Sequence, residues 1–185
     1  MDVHDVAGRL SLTSALERPD LLAPVVYQAL AGCDDGAAAH VAEIDPDLAD
    51  TAAFCEHYAV ALDVSANCVI VTGRRAGDDR TAACVVLATT RADVNGFVRR
   101  RLDVRKASFV AMTAAVASTG MEYGGITPFG LPSGWPVLVD AQVHAAPWVV
   151  LGSGVRRSKL VVPGAFVAPA SGGEVHDALA LASPA

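Results

Sequence analysis

The sequence lacks the short motifs that commonly announce an enzyme's chemistry. Across 185 residues there is no HExxH, no CxxC and no GxxxxGK[ST], so zinc-protease, dithiol and P-loop chemistry have no spacing to support them. The five histidines (His4, His40, His57, His144 and His176) are scattered, and neither a metal nor a cofactor is expected. No apolar run approaches the length of about 20 residues that a membrane-spanning helix needs. The opening MDVHDVAGRL is acidic rather than basic-then-apolar, so no secretory leader and no membrane partner are expected. Aromatic residues are scarce, at 5%. The cysteines Cys33, Cys55, Cys68 and Cys84 sit apart beside apolar or small residues, the pattern of buried reduced thiols, which makes a cytoplasmic setting the expectation. Basic residues are outnumbered 14 to 20, for a net charge of −6. Overall charge therefore repels nucleic acid, and any such partner must be gripped locally.

What is present is apolar content, 52% of the chain, enough to bury a core without disulfides. Residues 1–36 read as an N-terminal helical appendage: Leu21, Leu22, Val25, Val26, Ala29 and Leu30 fall at helical spacing. Pro24 fits only a first turn, so this helix should start near Ala23 and stop at Gly32. Beyond the linker CDDGAAAH, AHVAEID reads as a strand, and Asp50 can cap a helix carrying Phe54, Tyr58, Ala61 and Leu62. NCVIVTGR and AACVVLATT read as strands joined through the turn residues of RAGDDRT. Asp93 is a second helix cap, ASFVAM a strand, and TAAVAST a helix ended by Gly120. PVLVDAQV, WVVLGSG and KLVVPG supply three more strands, and the tail, 171–185, should be a flexible break with at most a weak helix. Hairpins interrupted by helices predict an α+β fold with a mixed, strongly curved, barrel-like sheet surrounded by helices.

Three segments could carry chemistry. In MEYGGITPFG the glycines Gly124 and Gly125 remove two Cβ atoms, while Pro128 stiffens the backbone before Gly130. Such a loop can offer main-chain donors to a ligand at close range. In GSGVRR, Gly152, Ser153 and Gly154 can turn successive N–H groups inward beside Arg156 and Arg157, a concavity suited to an anion or developing oxyanion. The dense basic run Arg99, Arg100, Arg101, Arg105 and Lys106 is the local footprint open to a nucleic-acid backbone, although most such runs are solvated faces.

Together STGMEYGGITPFG, PVLVDAQV and GSGVRRSKLVV resemble the YbaK/EbsC family, which is related to the editing domain inserted in bacterial prolyl-tRNA synthetases. The resemblance covers roughly 37–170. It implies a trans-acting deacylase that cleaves the ester between a wrong small amino acid, such as alanine or cysteine on tRNA-Pro, and the terminal adenosine. Mischarged tRNA would be the partner, with an aminoacyl-tRNA synthetase as a further one. By the same resemblance Gly124, Gly125, Ile126, Thr127 and Pro128 would form the aminoacyl pocket, with Gly152, Ser153 and Gly154 on its border and Asp140 closing the apolar strand. Thr127 and Gly125 are the expected catalytic-site donors beside Asn67, and Arg99, Arg100, Arg101, Lys106 and Arg156 the expected tRNA contacts. The family carries a lysine where this chain has Asn67, in SANCVIV. An asparagine can still donate a hydrogen bond there, without the charge that about doubles its strength. The alternatives are a binding module that has lost its chemistry, or an acylase or esterase acting on a small amide or ester unrelated to tRNA. A basic group placed elsewhere in sequence, Lys106 or Lys159, is the other way to restore the charge.

Overall fold

The structure, a computed structural model, describes residues 2–182. Its elements run α1 (Val3–Val6), β1 (Thr13–Ser14), α2 (Pro24–Ala31), β2 (His40–Glu43), α3 (Thr51–Tyr58), β3 (Ala66–Arg75), β4 (Asp78–Leu87) and β5 (Thr90–Ala92). A π-helical turn (Val94–Val98) continues into α4 (Arg99–Arg101), followed by β6 (Ala107–Phe109), α5 (Met112–Thr119), β7 (Val137–Asp140) and α6 (Ala141–Ala145). The chain ends with β8 (Val149–Gly152), β9 (Ser158–Val162), α7 (Gly164–Ser171), β10 (Glu174–His176) and β11 (Ala180–Ala182). This is the mixed α+β class that the sequence predicts.

Two large sheets organise it. One is antiparallel, in the order β1-β2-β9-β8; the other is mixed, β10-β7-β4-β3-β6, with β7 parallel to both β4 and β10. A parallel bridge between Ser65 and Val150 joins them, reinforced by Val150 N–H donating to Val64 O at 2.8 Å. The alternation of side chains along each strand sorts the core into layers. Ile70, Val85, Val139, Leu151 and Leu160 belong to the main core, with α2 and α7. On the outer face of the antiparallel sheet, Val150 and Val161 pack with Phe54 and Cys55 of α3. On the outer face of the mixed sheet, Val71, Cys84 and Leu138 pack with Val98 and Leu102. Strands covered on both faces read as unbroken apolar runs, which is how VLVD, VVLG and KLVV look in the sequence.

Local chemistry explains where these elements begin and end. Ala76 and Gly77 both take positive φ, 54° and 98°, the two-residue turn whose twist suits a hairpin. The β3–β4 ladder therefore runs out to Arg75 opposite Asp78, a tighter connection than RAGDDRT suggests. α2 begins after Ala23 with Pro24 in its first turn, and Asp93 caps the π-helical turn through Gly96 and Phe97 N–H.

Three expectations need correcting. The strand predicted over PVLVDAQV stops at Asp140, whose carboxylate accepts from Gln142 N–H at 3.0 Å and starts α6 instead. The tail, as far as residue 182, is ordered rather than loose: Gly172, at φ 64°, ends α7, and Glu174–His176 then runs beside β7. Leu179 is fully buried; the last three residues of that tail lie outside the described ones. The N-terminal segment reaches the main core through Leu21, Val26 and Leu30 rather than hanging from it. Ala23 N–H donates to Ser153 O at 3.2 Å, and Ser158 Oγ donates to Leu21 O.

Candidate functional site

A cleft of about 270 Å³ opens where the N-terminus of α3, the start of β3, the 121–130 loop and the β8–β9 end of the antiparallel sheet converge. Asn67, Gly124, Ile126, Gly152 and Lys159 line it, with Asp50, Thr51, Cys68 and Tyr123 around them. Three segments remote in sequence thus meet at one place: SANCVIV, the glycine-rich loop and GSGVRRSK.

Lys159 is what the sequence reading left open. It pairs with Gly152 across β8 and β9, and both residues line the cleft. Side chains two apart share a strand face, so Lys159 lies on the face of Val161, against α3. Its residue is only 7% exposed. Nζ donates to Ala49 O at 2.9 Å and more loosely to Gly124 O at 3.4 Å, and it stands 5.2 Å from the centre of the Phe54 ring. No carboxylate of the described residues forms an ion pair with it. Burial pushes this ammonium down to about 8 from its ordinary 10.5; the Asp50 carboxylate pulls the other way, and Arg156 adds to the depression. Burial likewise raises the Cys55 thiol, so it stays protonated near neutral pH. The signal for Lys159 was available: a single lysine inside a buried apolar strand is a rare and expensive placement.

Asn67 lines the cleft with its carboxamide oxygen accepting from Thr51 Oγ1 at 2.8 Å, which leaves its NH₂ free among the described residues. Of the other expected pocket residues, Gly124, Ile126 and Gly152 line the cleft, whereas Gly125, Thr127, Pro128, Asp140, Ser153 and Gly154 do not. Thr127 is fully buried, its N–H directed at Met121 Sδ and its hydroxyl without a partner among the described residues. The Ser153 hydroxyl is occupied within its own turn, 2.7 Å from Ser158 Oγ and 3.0 Å from Ser158 O. Pro128 is buried and Gly154, at φ 87°, packs against Ala23. Asp140 accepts from Gln142 N–H and from Ala180 N–H at 3.1 Å, so it braces α6 and the end of the chain.

The glycine pair also has a different use from the one expected. A Cβ on Gly125 would come within 2.6 Å of Val155 O, and one on Gly152 would fall on Gly125 O. The missing side chains let two stretches of main chain lie against each other, tied by Gly154 N–H donating to Gly125 O at 2.7 Å. The loop is thereby fixed to the β8–β9 turn, and the close approach is the protein's own.

The expected basic contacts divide in two. Arg156 stands at the rim, donating to Tyr123 O at 3.0 Å and Pro46 O at 3.1 Å, with its guanidinium over the Tyr123 ring. Arg99, Arg100, Arg101 and Lys106 lie elsewhere. Ala107 pairs with Gly73, six residues along β3 from Asn67, which at about 3.3 Å per residue is roughly 20 Å away. Arg101 there is held by Glu174 at 2.6 Å.

A family model described as the aminoacyl-tRNA editing domain matches residues 45–168. The chain belongs to that family. The editing-domain fold is also found among solved structures. A candidate trans-editing enzyme for prolyl-tRNA synthetase superposes with a TM-score of 0.71 at 18% identity, over 85% of this chain and 96% of that one. A scaffold protein used in computational epitope grafting gives 0.71 at 20% identity, again over 85% and 96%. A hypothetical protein gives 0.66 at 20% identity, over 76% of this chain and 90% of the other. At such identities these likenesses speak to the fold alone. A search of curated proteins finds no match to this editing-domain sequence. No described helix of the editing-domain protein is long and apolar enough to cross a membrane.

Proposed function

We propose that this protein is a trans-acting deacylase that hydrolyses the ester bond of mischarged aminoacyl-tRNA, releasing a small amino acid such as alanine or cysteine from tRNA-Pro. The observation that carries the reading is the convergence of Gly124, Ile126, Gly152 and Asn67 on one cleft, in a chain of the editing-domain family. About 270 Å³ is below the range of pockets for drug-sized ligands. It suits a small aminoacyl group with part of its ribose.

The bond to be cut is an activated ester, so the protein needs no strong nucleophile. A water held in line with the carbonyl carbon, and donors facing the carbonyl oxygen, lower the barrier by positioning and by stabilising charge. Water oxygen bonds to the ester carbon, the bond from that carbon to the ribose oxygen breaks, and the proton lost by water ends on the departing ribose hydroxyl. The free NH₂ of Asn67 is available to the ester or to a ribose hydroxyl. Arg156 at the rim suits the first phosphate of the acceptor end. The basic group Arg99, Arg100, Arg101 and Lys106 would meet backbone further along the tRNA. Delivery by an aminoacyl-tRNA synthetase is compatible with this arrangement.

The test is release of amino acid from alanyl-, cysteinyl- and prolyl-tRNA-Pro and from a wider mischarged panel. Release from at least one mischarged tRNA above the uncatalysed rate supports the proposal. No release across the panel refutes it. Cleavage confined to simple esters would assign the cleft to small-molecule chemistry instead.

A further inference from the structure

An ammonium has three N–H donors. For Lys159 one is spent on Ala49 O and a second, loosely, on Gly124 O; the third has no partner among the described residues. Lysine buried without a carboxylate is costly, and its neighbour Phe54 would accept an apolar side chain in its place. A charge kept in a cleft at such a cost, with a donor to spare, is the mark of a group that serves a ligand.

We propose that Lys159 is the charged donor of this cleft, its free N–H engaging the carbonyl oxygen of a bound aminoacyl ester as negative charge develops there. The assignment rests on the deacylase reading for its substrate, and it moves the charge that the sequence seeks at Asn67 from β3 to the facing strand β9. Lys159 keeps all its protons through the step. It stabilises the tetrahedral oxyanion, while water supplies both the attacking oxygen and the proton that the ribose oxygen takes up. The charged and titratable groups around it are Asp50 and Cys55 of the α3 segment, Cys68 of β3, Arg156 of the β8–β9 turn and Tyr123 of the facing loop.

Two consequences separate this role from a structural one. The working form is the ammonium, so the protein-catalysed kcat/KM falls as pH rises through about 8, while uncatalysed ester hydrolysis accelerates. The charge can also be supplied from the other strand: Lys159→Met lowers kcat/KM about a hundredfold, and adding Asn67→Lys to that variant restores most of it.

The experiment measures two things on the full chain and on these variants. One is amino acid release from mischarged tRNA-Pro as a function of pH. The other is affinity for an adenosine that carries alanine through a non-hydrolysable amide. The expected result is binding by the parent that weakens above pH about 8 and drops at least about tenfold in Lys159→Met, with rescue by the double variant. Lysine-dependent binding without turnover on any tRNA would refute the deacylase reading and uphold the donor. Binding and turnover indifferent to Lys159→Met, or a parent that does not bind the amide, overturn the donor assignment.

Discussion

Replacing Lys159 by methionine should make the protein more stable while making it less active. The ammonium titrates at about 8 in the folded protein against an ordinary 10.5. The folded state therefore binds fewer protons than the unfolded state between these values, and stability rises with pH across that window. Below about 8 both states carry the proton and the full penalty stands. At about 1.4 kcal/mol per pH unit of separation it amounts to about 3 kcal/mol. Loss of the bonds to Ala49 O and Gly124 O offsets about 1–2 kcal/mol of the gain, because such bonds contribute about 1 kcal/mol each. Lys159→Met should then exceed the parent by about 1–2 kcal/mol near pH 7. The more telling quantity is the change with pH. By about pH 9.5 most of the penalty is gone, so the gap should narrow by about 2 kcal/mol. Urea unfolding of both proteins at the two pH values measures it, and groups that titrate alike in both cancel. A gap of the same size at both pH values would show that burial does not strain the Lys159 ammonium.

Thr127→Val removes a fully buried hydroxyl that has no partner among the described residues. It should leave stability unchanged or raise it by about 1 kcal/mol, with deacylation intact; a tenfold loss of activity in a stably folded variant would show that the Thr127 hydroxyl reaches the substrate. Gly152→Ala places a methyl group on the Gly125 carbonyl. It should cost about 1–3 kcal/mol in thermal or urea unfolding and lower activity at least tenfold by displacing the loop, whereas full activity would mean that this contact does not shape the cleft.

Much of the architecture was legible because it rests on short-range rules. Asp93 as a cap, Pro24 in a first turn, Gly120 as a helix stop and the glycine of the β3–β4 turn each act within a few residues of themselves. The errors came where distant chain decides. Nothing local tells that Asp140 ends a strand by capping a helix, or that the three residues of β10 find an edge beside β7. The cleft shows the same division. Its glycine loop announces itself by composition, but the use of those glycines depends on Val155, brought against them by the fold. Asn67 drew attention as a missing charge on one strand, while the charge stood on another, placed by the pairing of Lys159 with Gly152. Thr127 reads as a donor to the site and Ser153 as part of its border because a sequence shows hydroxyls without showing which way they turn.

The ties from Ala23 to Ser153 and from Ser158 to Leu21 bear on how this domain can be borrowed. The family match begins at residue 45, yet the turn that holds the glycine loop leans on a segment before it. A grafted or shuffled copy cut at the boundary of family likeness would keep every residue lining the cleft and lose the buttress behind one wall. In this protein the unit that holds the cleft in shape is longer than the recognisable unit of ancestry.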